Sequence, residues 1–117
     1  FEMIIGIKND NQFGQTIILG AGGIYTELFK DTTTLLLPLN KKIILQEIKK
    51  LKFSKILFGF RGKKGGDVKS LVNIILKIAK FAEKNSDKVS EVDINPLIVC
   101  KKGKGVIAVD ALIHYFE

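Results

Sequence analysis

Residues 89–113 read VSEVDINPLIVCKKGKGVIAVDALI. Two extended apolar runs, about 89–100 and 105–114, flank Lys101-Lys102-Gly103-Lys104 and predict a β-hairpin. With Lys102-Gly103 as a two-residue loop, Lys101 faces Lys104 and paired numbers sum to 205. That register sets Asn95 opposite Asp110, and Asp93, two residues away, shares their sheet face. Carboxylates inside β-like runs are costly unless something pairs or uses their oxygens. Three converging oxygen-bearing side chains suit a hard cation such as Mg²⁺, which keeps water and substrate phosphates in its shell. The alternative is that Asp93 and Asp110 only face solvent on a one-sided sheet.

The remaining chain supplies partners for this hairpin. Residues 2–8, EMIIGIK, predict a strand, Asn9-Asp10-Asn11 a turn, and residues 15–19 a returning strand. Gly20-Ala21-Gly22-Gly23 is expected to break that strand, and a third extended run, Thr32 to Leu37, stops at Pro38. Asn40 is placed to cap a helix over 41–51, where Ile43, Ile44, Ile48 and Leu51 keep helical spacing. Residues 53–60 are apolar without a clear period. RGKKGGD is a loop ending on Asp67, which caps a helix over 68–82 with Leu71, Val72, Ile75, Ala79 and Ala82 on one face. Strands, helices, then strands predict an α+β fold: a mainly antiparallel sheet with packed helices, one domain over 1–117.

Composition narrows the partners. The net charge is +7, from 19 basic and 12 acidic residues, a balance that attracts anions. Arg61 is the lone arginine, and the lysines are scattered rather than interleaved with aromatics. Base readout favours arginine forks and single-strand binding favours aromatic platforms, so no nucleic-acid partner is expected. No apolar run reaches the roughly 18 residues that span a bilayer, and no membrane partner is expected either. Cys100 is the only cysteine, which excludes an internal disulfide framework and a cysteine zinc site; a cytoplasmic setting is the simplest expectation. Arg61 in Phe60-Arg61-Gly62 is a candidate catalytic anion contact, because a guanidinium fork suits phosphate. Gly20–Gly23 lacks the Gly-Lys-Ser/Thr ending of a phosphate-binding loop. His114, the single histidine, is read as structural or exposed.

The ordered set of motifs resembles one family. Glu91-Val92-Asp93-Ile94-Asn95-Pro96-Leu97 with Ala108-Val109-Asp110-Ala111 is similar to the end of an ATP-grasp domain. So are Glu2-Met3-Ile4-Ile5-Gly6, Asp10 to Gly14, Gly20 to Glu27, Pro38-Leu39 and Gly59-Phe60-Arg61-Gly62, in that order. The relatives in view are ADP-forming acyl-CoA (acetyl-CoA) synthetases and, further off, succinyl-CoA synthetase β subunits. The resemblance implies the carboxy-terminal half of an ATP-grasp domain, a piece of a larger enzyme. That enzyme would interconvert acyl-CoA, ADP and phosphate with carboxylic acid, CoA and ATP, through an acyl phosphate and a phosphohistidine.

Residue by residue, it implies that Asn95 and Asp110 hold the Mg²⁺ of a bound ATP or ADP. Asp93 would lie beside the metal, near the incoming phosphohistidine, and Glu2 would contact the nucleotide, through the ribose. A CoA-binding α subunit or domain is the implied protein partner. Asn11 and Gln15 depart from the family by replacing turn prolines. The nucleotide-binding lysine and the phosphohistidine of relatives have no counterpart in these residues, so the chain alone is expected to be inactive. A rival reading from another class is a non-catalytic nucleotide-binding or basic nucleic-acid-binding module.

Overall fold

A computed structural model describes residues 1–10, 14–22, 31–36 and 39–117, Asp10 through its backbone alone. The order is β1 (Glu2–Asp10), β2 (Gly14–Ala21), β3 (Thr32–Leu36), α1 (Lys41–Lys49), α2 (Ser54–Phe58), α3 (Val68–Lys84), β4 (Val89–Val99), β5 (Val106–Ala108) and β6 (Ala111–Tyr115). The strands form one sheet in the order β3-β2-β1-β4-β5, with β6 also on β4, and every strand pairing among the described residues is antiparallel. The α+β expectation holds.

Alternation along the strands divides the sheet into two faces. Met3, Ile5, Ile7, Ile17, Leu19, Leu35, Val92, Ile94, Leu97 and Val99 are buried in one core with Ile44, Ile48, Leu57, Leu71, Ile75, Ala79 and Ala82 of the helices. The opposite face, with Glu2, Lys8, Asp93 and Asn95, is open. Both long helices start as expected. The Asn40 side chain accepts from the Ile43 N–H at 2.8 Å, and Asp67 accepts from the Ser70 N–H at 3.1 Å, satisfying donors the first turn leaves unpaired. The segment without a clear period becomes the short helix α2.

Two expectations are corrected. Asn9 and Asp10, read as part of a turn, continue β1 opposite Gln15 and Gly14. Gly20 and Ala21 do not break β2 but belong to it, paired with Ile4 and Met3. Gly22 follows, donating its N–H to the Glu2 carbonyl at 2.8 Å. A Cβ there would lie 3.0 Å from the Glu2 carbonyl carbon, so close approach rather than a turn requires glycine. Residues 23–30, and Leu37-Pro38, lie outside the described residues.

Asp67 links the helical layer to the hairpin. Its second carboxylate oxygen accepts from the Gly105 N–H at 2.8 Å, while its own N–H donates to the Cys100 carbonyl at 2.8 Å. The bonds from Ser70 and then Gly105 hold its carboxyl below the ordinary value of 3.8. A folded-state value below the unfolded one stabilises the fold above the unfolded value, and the contribution disappears as pH falls through the folded one. The urea midpoint should therefore drop on acidification from about pH 5 to about pH 2, and drop less in Asp67→Asn. Equal drops in both proteins would remove Asp67 as a source of the acid sensitivity.

Candidate functional site on the open sheet face

The β4–β5 and β4–β6 pairings run in the expected register. Leu97 faces Ala108, Ile94 faces Ala111 and Asp93 faces Leu112, and each of these pairs sums to 205. Asn95 is thereby set against Asp110, and its N–H donates to the Asp110 carbonyl at 3.0 Å. The returning arm is not one strand, however. It is interrupted between Ala108 and Ala111, so Asp110 stands in a break of the edge.

A second irregularity meets it from the other side. Against β1, Met3 faces Leu97 but Ile5 faces Ile94, so Asn95 and Pro96 together oppose the single residue Ile4. This is a β-bulge, the device that re-aims side chains at functional sites. Its effect is visible in burial: Val92 and Ile94 are buried before it, Leu97 and Val99 after it. Asp93 and Asn95 are both exposed. Pro96 has no N–H to give the ladder, but its carbonyl accepts from the Val109 N–H at 3.0 Å.

Around this patch the floor is partly bare. Asp93 faces Gly6 on β1, where a Cβ would meet nothing within 4 Å. Glu2 is exposed on the same open face and faces Ile98. It lies two residues along β1 from Ile4, about 7 Å at ~3.4 Å per residue. Beyond Asp93, Lys8 pairs with Glu91 at 3.9 Å, and Glu91 faces the exposed His114.

Arg61 is carried by a different element. It sits at φ 52° in the loop after α2, with its guanidinium 5.2 Å from the Phe60 ring centroid. That loop is anchored at Gly66, where a Cβ would lie 2.9 Å from a Val99 methyl and 3.0 Å from the Phe1 ring. Val99 is six residues from Asp93 along β4, about 20 Å. Asp93, Asn95 and Glu2 thus share one face with Asp110 opposite Asn95, and the Arg61 loop is anchored beside Phe1, next to Glu2 at the end of that face.

The donor set is two carboxylates and an amide, all oxygen ligands. Among the described residues no three His, Cys, Asp or Glu side chains are grouped to hold a metal ion. Carboxylate and amide oxygens are the donor type that Mg²⁺ takes, with water and phosphate completing its octahedron. No helix is long and apolar enough to cross a membrane, among the described residues.

The chain is thus a mainly antiparallel sheet with helices on one face and the exposed oxygen-bearing side chains of Asp93 and Asn95 on the other. Residues 1–114 match the ATP-grasp domain family, and the chain belongs to it. It is 39% identical to the β subunit of acetate–CoA ligase (ADP-forming) II of Pyrococcus furiosus, over 96% of this chain and 48% of the relative. It is 38% identical to 4-hydroxybutyrate–CoA ligase (ADP-forming) of Nitrosopumilus maritimus, over 96% of this chain and 16% of the relative.

Solved structures agree. A crystal structure from Pyrococcus horikoshii superposes with a TM-score of 0.90 at 36% identity, covering 98% of this chain and 48% of that one. Acetyl-coenzyme A synthetase 1 of Ca. Korarchaeum cryptofilum, in complex with coenzyme A and Mg-AMPPCP, superposes with a TM-score of 0.86 at 35% identity. That match covers 98% of this chain and 53% of that one. The chain spans about half the length of the P. furiosus relative.

Proposed function

We propose that this chain is the carboxy-terminal half of an ATP-grasp domain and supplies the Mg-nucleotide floor of an ADP-forming acyl-CoA synthetase. The carrying observation is the placement of Asn95 against Asp110 at the bulge, with Asp93 on the same face. In this reading Asn95 and Asp110 are the protein ligands of Mg²⁺, which when bound neutralises phosphate charge during phosphoryl transfer. Asp93 orients a water or the incoming phosphohistidine. Glu2, two residues further along β1, accepts a ribose hydroxyl. The whole enzyme then interconverts acyl-CoA, ADP and phosphate with carboxylic acid, CoA and ATP, together with a CoA-binding subunit or domain. ADP-forming CoA ligases among the relatives and a Mg-AMPPCP complex among the similar structures support it. Arg61, on the loop anchored beside Phe1, is kept in this reading as the candidate anion contact.

Glu2 provides a direct test. A hydrogen bond to a ribose hydroxyl contributes about 0.5–1.5 kcal/mol net, somewhat more with a charged acceptor. In the full-length protein Glu2→Ala should weaken Mg-ADP binding several-fold by calorimetry, with no change in the far-ultraviolet spectrum. Unaltered affinity would take Glu2 out of the site.

A further inference from the structure

Basic residues are nearly absent from the sheet. The chain has 19 Lys and Arg, yet Lys8 is the only one of them in the described strands. The same strands place Glu2, Glu91 and Asp93 on the open face, with Asp110 in the break beside them. Such a face attracts a metal ion but repels the phosphates that come with it. The one cation kept there therefore calls for an account.

Register fixes where that cation stands. Lys8 faces Glu91 and Gly6 faces Asp93, with Ile4 opposite the bulge at Asn95-Pro96. Along β1 the open face thus presents Glu2, the rung of Asn95 and Asp110, Gly6 beside Asp93, and then Lys8, in steps of about 7 Å. Glu91 does not hold Lys8 fast. Their contact is 3.9 Å long with the lysine side chain 68% exposed, beyond hydrogen-bond range and of the kind that contributes little. The flexible four-carbon stem can lay its ammonium over Gly6 instead.

Gly6 clears the ground for it. A Cβ there would meet nothing within 4 Å, and the residue lies inside an extended strand. Neither packing nor backbone conformation requires glycine. A glycine inside a strand weakens it and is a common mark of a ligand's close approach. The gap has Asp93 on one flank and Ile18 on the other, with Lys8 at its end.

We infer that the gap over Gly6 seats the terminal phosphate of a bound nucleoside triphosphate, and that Lys8 is the side chain that binds it. The inference rests on the nucleotide reading, which runs from a ribose at Glu2 to Mg²⁺ at Asn95 and Asp110. Gly6 is the next rung in that direction. A phosphate chain continued along it comes to Lys8, whose ammonium supplies the charge-assisted bonds that carboxylates cannot give.

The test is calorimetry on the full-length protein with two probes, Mg-ADP and the non-hydrolysable triphosphate Mg-AMPPCP. Lys8→Met should weaken Mg-AMPPCP at least about tenfold, the scale of one charged hydrogen bond, and Mg-ADP less than about twofold. Lys8→Arg should restore most of the difference. Gly6→Val should show the same selective loss, because its side chain fills the gap from an uncrowded Cβ position. Gly6→Ala keeps the test if the valine variant does not fold. Lys84→Met, at an exposed lysine on the helical layer, should change neither affinity. An unchanged ratio of the two affinities, in either Lys8→Met or the Gly6 variant, overturns the inference and leaves the nucleotide reading standing. A like loss in Lys84→Met overturns it too, since the effect is then one of net charge. A parent protein that binds neither probe overturns both.

Discussion

Asp110→Asn should raise the Mg²⁺ concentration needed for nucleotide binding by the full-length protein at least about tenfold, the scale on which even outer groups around a metal act. Asparagine keeps the shape and one oxygen but removes the full negative charge that a hard cation favours most. Asn95→Ala should show the same defect, because it deletes the partner oxygen across the pair. Neither change should cost much stability, since exposed side chains away from special backbone positions contribute within about 0.5 kcal/mol. Asp87→Asn, an exposed acid in the turn before β4, is the charge-matched control. The measurement is a Mg²⁺ titration at fixed nucleotide with a melting curve for each variant. Parental Mg²⁺ dependence in both Asp110→Asn and Asn95→Ala would make these residues polar surface and sink the metal reading.

How much of this patch could be read from residue order alone depends on which physical signal was local. The hairpin register was legible because a Gly-containing two-residue loop leaves one pairing, and that pairing is found from Val99–Val106 to Glu91–His114. Helix starts were legible for the same reason: Asn40 and Asp67 act within their own first turn. The bulge at Asn95-Pro96 was not, because it is a mismatch between β4 and β1, strands separated by most of the chain. Nor was the interruption of the returning arm at Val109-Asp110, since both residues read as part of one extended run. Gly20 and Gly22 misled for a related reason. Glycine marks both turns and close contacts, and only the proximity of Glu2 and Thr32 decides for contact.

Arg61 shows the same limit on the functional side. A guanidinium beside glycines is chemically apt for phosphate, but aptness carries no position. Its placement follows from Gly65 and Gly66, which tie the loop to α2 and to the hairpin turn. The Gly66 N–H donates to the Leu57 carbonyl at 2.7 Å, and the Gly65 carbonyl accepts from the Lys102 N–H at 3.0 Å.

Gly65→Ala should accordingly be the most damaging single-methyl change in the described fold. A Cβ at Gly65 would lie 2.3 Å from the Leu57 carbonyl oxygen, 2.6 Å from the Gly59 nitrogen and 2.6 Å from the Phe58 carbonyl carbon. All three are backbone atoms, so no side-chain rotation relieves the overlap. The loop must lift from the end of α2, stretching the bonds to Leu57 and Lys102. A cost of about 3 kcal/mol, the upper end for overpacking, takes a large share of the 5–15 kcal/mol typical of a domain. At roughly 4–8 °C per kcal/mol it lowers the melting temperature of this domain by more than about 10 °C. Gly103→Ala isolates backbone conformation from crowding: Gly103 has φ +84° but nothing within 4 Å of its Cβ position, so its cost should stay near 1 kcal/mol. Melting curves of the two variants decide between contact and conformation. If Gly65→Ala melts no lower than Gly103→Ala, close packing of the loop on α2 is not what holds it, and the anchoring of the Arg61 loop loses its support.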